Sequence, residues 1–252
     1  MGVEAALDRI LFLDIETVSQ HSSYNEVPEN VKPLWRQKAE WFARRNNEEW
    51  TEEVGARIYG EKAGIYAEFG KVVVISVGYL LSANGVYSLK LKSFASDNEQ
   101  EVLSGFSQLI SKHYNNPSRQ FLCGHNIKEF DIPFICRRMV INGMALPEMI
   151  NVTGKKPWET KHLLDTMDLW RFGDLKNYTS LSLLAHVLGV PTPKDDIDGS
   201  DVGRVFWEEN DLHRIAVYCE KDVATCARVL LKFQGEAELP DEQVHSLSDQ
   251  IS

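Results

Sequence analysis

The sequence predicts an α/β or α+β fold, and three observations carry that reading. Short apolar, β-branched runs suited to strands stand at residues 9–15, 71–81 and 120–124. A turn signal, Ala83-Asn84-Gly85, separates two such runs as the corner of a hairpin. Segments of helical spacing, bounded by capping residues, alternate with the strands from residue 97 onward.

Taken in order, Arg-Ile-Leu-Phe-Leu-Asp-Ile (residues 9–15) reads as a central strand. Residues 19–70 then interrupt the pattern with a polar, tryptophan-bearing stretch whose middle, Val31 to Trp50, has helical spacing. Lys71 to Leu81 is the next strand, and the alternating Val86 to Phe94 is the second arm of its hairpin. Asp97 is expected to cap a helix that runs to about His113. Gln120 to Gly124 is a short strand leading through Asn126 into a helix over 132–142. A loop rich in Gly, Lys and Pro (151–160) precedes an apolar segment, His162 to Leu169. Ser180 to Leu188 is a short helix ended by Gly189 and Pro191. Pro193 to Gly199 is acidic and turn-like, a helix follows over about 200–208, and Asp211 caps a last helix reaching Phe233. The tail from 234 to 252 is polar and expected to be loose.

The chain of 252 residues fits one large domain carrying an insertion at about 19–70. Its net charge of −10 argues against general electrostatic gripping of duplex nucleic acid. The basic pairs Arg44-Arg45, Arg137-Arg138 and Lys155-Lys156 read as solvated surface charge. Cys123, Cys136, Cys219 and Cys226 form no Cys-x-x-Cys pair, so neither a disulfide framework nor a zinc site is expected. Without a basic, apolar leader or an apolar run near the ~18 residues of a membrane span, the expected location is the cytoplasm.

Chemistry is concentrated in three acidic segments. Asp14 and Glu16 lie one residue apart on a strand, so their carboxylates share a face and can reach one ion. A surface strand end also explains an isolated Asp-x-Glu. Asp131 follows the strand-to-loop segment and precedes Ile132-Pro133, where an aspartate serves equally as a helix N-cap. Tyr218 and Asp222 are one helical turn apart, beside a core stripe of Leu212, Ile215, Cys219, Val223, Cys226 and Leu230. Apolar sequence loaded with carboxylates is unfavourable unless their charge is compensated, and divalent cations do this best.

The order and spacing of these segments resemble the DEDD superfamily of 3′–5′ exonucleases, and Tyr218 four residues before Asp222 resembles its tyrosine branch. The stretch Leu181 to Val190, followed by Lys194-Asp-Asp-Ile-Asp-Gly-Ser-Asp-Val, is similar to bacterial exonucleases related to the proofreading domain of family B DNA polymerases. The resemblance covers about residues 9–18 and 71–233 and implies an RNase H-like mixed sheet flanked by helices. It implies that Asp14 bridges two ions, Mg²⁺ or Mn²⁺, that Glu16 and Asp222 complete the first, and that Asp131 holds the second directly or through water. Tyr218 would then align the attacking water rather than act as a base, since an ordinary phenol has a pKa near 10. The histidine branch is a poorer match, because Val217 stands where its histidine would be and His213 lies on the far side of the helix. Asp165 and Asp168 read as structural. Ile15, Thr17, Asn126 and Phe130 are the expected substrate contacts. Phe130, together with Trp35, Trp41 and Trp50, is a candidate for stacking on bases, although for these tryptophans core packing is the competing account. The expected substrate is the 3′ end of single-stranded DNA, with RNA trimming or an inactive binding module as alternatives. Any polymerase or repair activity would come from a partner.

Overall fold

The computed structural model describes residues 6–83, 85–174, 176, 178–192 and 197–248. Strand β1 (Ile10–Ser19) is followed by helices α1 (Lys32–Arg45) and α2 (Glu52–Lys62). The hairpin β2 (Gly70–Ala83) and β3 (Val86–Ala95) comes next, then α3 (Glu99–His113), β4 (Phe121–Gly124) and α4 (Asp131–Ile141). The remainder is β5 (Leu163–Asp165), α5 (Thr166–Arg171), α6 (Leu181–Leu188), α7 (Val202–Arg204), α8 (Leu212–Gln234) and β6 (Val244–Ser246). A wide helical turn, Val205–Glu209, extends α7.

The strands form one mixed sheet in the order β5-β4-β1-β2-β3-β6. β1 runs antiparallel to β2 and parallel to β4; β5 and β6 add parallel edges. Alternation along β1 divides its apolar residues between two cores. Leu11, Leu13 and Ile15 pack with Val102, Phe106 and Ile135 of α3 and α4. Ile10 and Phe12 face Val223, Ala227 and Leu230 of α8. Both faces are covered, which is why the strand reads as nearly continuous hydrophobic sequence. By the same alternation Asp14 and Glu16 point toward α8.

Several expectations need correction. β1 does not stop at Ile15 but continues to Ser19, so the acidic pair lies within a strand. What ends there is its parallel neighbour, since β4 pairs only as far as Phe12–Cys123. The 19–70 stretch holds two helices, not one. α1 ends at Asn46, the chain turns through Asn47 at φ 59, and Thr51 caps α2 by accepting from the Val54 amide. Trp35 is fully buried, donates from Nε1 to the Gly55 carbonyl and meets Tyr59 and Phe69 edge-on, so it is unavailable for stacking on bases. Trp50 lies partly buried over Gly55, while Trp41 is exposed beside Arg45. The cap of α3 is Asn98, whose Oδ1 accepts from the Gln100 amide, rather than Asp97.

The tail is not loose as far as residue 248. Leu239 is buried, β6 pairs with β3, and the Leu247 amide donates to the Leu91 carbonyl. Arg138 is not surface charge either. Only 5% exposed, it meets Glu99 at 2.6 Å and also donates to the Ala67 carbonyl, tying α4 to α3 and the start of β2. The hairpin residue Asn84 and residues 193–196 of the acidic, turn-like stretch lie outside the described residues. Among the described residues no helix is long and apolar enough to cross a membrane.

Candidate active site

The acidic cluster forms where β4 and β5 end beside the continuing β1. One side of β1 remains paired with β2 at this level, Asp14 facing Ser76 and Glu16 facing Val74, and the ladder slips between Glu16 and Thr17. Ligand atoms of Asp14, Glu16 and Cys219 all lie within 4.8 Å of one another. Asp131, the first residue of α4, enters from the loop after β4, and its carboxylate accepts from its own amide and from that of Ile15. The expected cap position belongs to Phe130, which offers no side-chain cap. Tyr218 and Asp222 approach from α8 and line a cleft of about 520 Å³ together with Asp14.

The electrostatics are those of carboxylates crowded together out of water. Glu16 is 8% and Asp131 3% exposed, while Asp14 keeps some surface toward the cleft. Burial pushes Asp14 well above the ordinary carboxylate range, and repulsion from Asp131, Glu16 and Asp222 adds to it. Glu16 is raised likewise, by burial and then by Asp222 and Asp131. Asp131 is pushed up to about 7, chiefly by burial, with further repulsion from Asp165 and Asp222 and partial relief from its two backbone donors. Crowding of this kind is relieved either by protonation of the carboxyls or by a cation among them. The donor set therefore fits divalent metal, with carboxylate oxygens as the hard ligands.

Cys219 was expected to be an ordinary core residue. It is buried, but its thiol donates to Asp14 Oδ2 at 3.3 Å. Burial and the nearby carboxylates push that thiol well up, so it acts as S–H and supports Asp14. A row of hydroxyls continues from this point beneath α8. Ser76 lies directly across from Asp14, and Ser93 directly across from Ser76, with their oxygens 2.8 Å apart. Ser93 and Ser248 each donate to Glu220 Oε1 at 2.8 Å. Glu220 is buried on α8 between Tyr218 and Asp222, so the row joins the acidic cluster to Ser248.

Three of the four expected substrate contacts meet in a second cleft. Ile15, Thr17 and Phe130 line about 630 Å³ of space with Glu16, residues of α2 and residues of α7. Asn126 lines neither cleft. It adopts φ 65, a conformation asparagine tolerates, its amide donates to Asp165, and its Oδ1 is buried without a partner. Asp165 has the structural role expected of it: it accepts from the Asn126 and Lys128 amides, pinning the loop that delivers Asp131, and caps α5 through the Met167 amide. Asp168 pairs with Lys128 and Arg171. His213 is exposed. His125 was not singled out from the sequence, yet it lines the first cleft, with Nε2 2.8 Å from the Thr179 carbonyl and Nδ1 2.9 Å from the Thr166 hydroxyl. Burial lowers its pKa.

The chain belongs to the family of predicted 3′–5′ exonucleases related to the exonuclease domain of PolB, whose model matches residues 65–250. That span includes Asp131, Tyr218 and Asp222; Asp14 and Glu16 precede it. The fold is likewise similar to the family B DNA polymerase of the hyperthermophilic archaeon Pyrobaculum calidifontis, with a TM-score of 0.53 over 89% of this chain at 16% identity. The chain spans about a quarter of that polymerase (24%). No curated protein sequence matches the chain. The mixed six-stranded sheet with helices on both faces is thus an α/β, RNase H-like fold, and the protein is a nuclease of the exonuclease class.

Proposed function

We propose that this exonuclease removes nucleotides from the 3′ end of single-stranded DNA with two divalent ions, Mg²⁺ or Mn²⁺, and belongs to the tyrosine branch of the DEDD superfamily. The observation that carries the reading is the mutual repulsion of Asp14, Glu16, Asp131 and Asp222, together with the burial of the first three. Near neutral pH a divalent cation would relieve that repulsion without protonating the carboxyls, which supports the reading. Asp14, Glu16, Asp131 and Asp222 would hold the ions, and residues 1–252 would act as one exonuclease domain, the stretch at about 19–70 that holds α1 and α2 being an insertion. When bound, such ions polarise the scissile phosphate, lower the pKa of an attacking water and stabilise the departing 3′ oxygen.

The chain's own groups supply alignment. Tyr218, on the same cleft as Asp14 and Asp222, would direct its hydroxyl at the attacking water. Cys219 holds Asp14 from behind through the thiol bond. Asp165 fixes the loop before Asp131 through the Asn126 and Lys128 amides, which would hold that carboxylate at a set position. Ile15, Thr17 and Phe130 would contact the nucleotide next to the scissile bond.

The test is a time course on 5′-labelled single-stranded DNA and RNA with Mg²⁺, Mn²⁺ or EDTA. The expected result is a ladder of DNA shortened from the 3′ end, abolished by EDTA and by Asp14→Asn. Internal cuts, or shortening that persists in EDTA, would refute the reading; faster shortening of RNA would replace DNA as the substrate.

A further inference from the structure

Helical glycine is unfavourable, exceeded only by proline, so a helix that keeps one normally needs the missing side chain for packing. Gly55 in α2 and Gly105 in α3 follow that rule. A Cβ at Gly55 would lie 2.2 Å from the Trp50 ring, and one at Gly105 would lie 2.5 Å from the Phe94 ring. Gly60 in α2 and Gly203 in α7 do not follow it, because a Cβ at either would meet no atom within 4 Å. Both line the cleft of about 630 Å³ beside Glu16, and so does Gly199, whose surroundings are equally open. Gly60 and Gly203 cost helix stability with no return in packing, and the space left at all three glycines is in one place.

Two polar groups on that cleft lack a protein partner. Glu16 is 8% exposed and, among the described residues, has neither a hydrogen bond nor an ion pair. The Trp207 indole Nε1 is buried with no acceptor. The lining chemistry suits a base and sugar better than a phosphate. Ile65 presents an apolar surface at 50% exposure, Phe130 a ring and Thr17 a hydroxyl, while Ser22 and Ser200 donate theirs to Glu26 and Asp198. Glu61 and Glu208 would repel a phosphate, and Arg204 is already paired with Asp201 and Glu209. The volume falls in the roughly 300–1,000 Å³ range of small-ligand sites, room enough for a nucleotide.

We propose that this cleft is a nucleotide subsite running away from the carboxylates, and that Gly60 and Gly203 are specificity-determining positions kept bare so that the bases of an unpaired strand can lie between α2 and α7. The proposal rests on the exonuclease reading. It gives the α1–α2 segment a function, as one wall of the substrate path.

The test uses the full chain with Gly60→Leu, Gly203→Leu and the corresponding Ala variants. Binding of a 5′-fluorescein oligothymidylate is followed by anisotropy with Ca²⁺, and melting temperature is measured in parallel. Because a side chain favours the helix, melting temperature should hold or rise, by about 2–4 °C for the Ala variants. Kd should nevertheless rise, about threefold for Ala and about tenfold or more for Leu. Stability and affinity moving in opposite directions is the signature, since a merely structural glycine would move both the same way. If a Leu variant misfolds, the Ala variants decide. Unchanged Kd in folded variants, while the wild type degrades DNA, overturns the subsite alone. A wild type that neither binds nor degrades the strand overturns the exonuclease reading and the subsite with it.

Discussion

Replacing Asp131 with asparagine removes one buried charge while keeping the side chain's shape, and the consequence depends on pH. In the fold the carboxyl is raised from 3.8 to about 7, chiefly because it is buried. A raised carboxyl favours the folded state when protonated. Its contribution is full below the unfolded value and is lost as pH climbs through about 7. At about 1.4 kcal/mol per pH unit the loss reaches about 4 kcal/mol as an upper limit. Asp14 and Glu16 are raised in the same direction, and the four acids share the strain, so about half that figure is a reasonable expectation for Asp131 alone. For a chain of this size about 2 kcal/mol corresponds to roughly 4–8 °C. His125 and His162 are lowered by burial and pull the other way, costing stability as pH falls through the ordinary histidine range. The difference between Asp131→Asn and wild type cancels them. The assay is melting temperature from pH 5 to 8 in EDTA and again with Mg²⁺. In EDTA the variant should gain on the wild type steadily as pH rises, and Mg²⁺ at pH 8 should close most of the gap by stabilising the wild type. A difference that stays flat across the range, or that Mg²⁺ leaves untouched, would refute the reasoning.

Other consequences follow from single contacts. Tyr218→Phe keeps the ring but removes the hydroxyl, and should lower kcat by about 10²–10⁴-fold while Mn²⁺ affinity stays near wild type; full activity would remove Tyr218 from the mechanism. Arg138→Ala strands the buried Glu99 carboxylate and should cost about 3–5 kcal/mol in urea unfolding; a loss below about 1 kcal/mol would show that the pair is not held as described. Ser248→Ala takes one of the two hydroxyl donors from Glu220 and should cost about 1–3 kcal/mol, with kcat falling more than KM rises, because α8 carries Tyr218 and Asp222. Equal activity at temperatures where the variant is fully folded would confine that hydroxyl row to stability.

The parts of this molecule that could be read in the sequence are those governed by local periodicity. Alternation in Leu-Phe-Leu-Asp-Ile-Glu puts Asp14 and Glu16 on one face of β1 before any tertiary contact is known. The stripe from Ile215 to Leu230 sets the buried side of α8 and leaves Tyr218 and Asp222 beside it. A cap that stands alone, such as Asp211, is equally plain. Where two adjacent residues are competent, as at Asp97 and Asn98, side-chain type does not choose between them. The rest depends on partners distant in sequence. β6 is three residues with no apolar pattern, and becomes a strand because β3 offers an edge more than 140 residues earlier. Arg138 looks like half of a surface pair until Glu99 arrives from α3. His125 and Cys219 take part through Thr166, Thr179 and Asp14, contacts that no spacing rule encodes.

The central claim is that the carboxylates of Asp14, Glu16, Asp131 and Asp222 are held together for divalent ions, and a Mn²⁺ titration followed by electron paramagnetic resonance tests it without reference to turnover. The wild type should take up two Mn²⁺ ions at neutral pH, more weakly as pH falls and the buried carboxyls regain protons. Asp14→Asn, which removes the carboxylate expected to serve both ions, should lose both. A wild type that leaves Mn²⁺ free in solution, or an Asp14→Asn variant that binds it as the wild type does, would contradict the account.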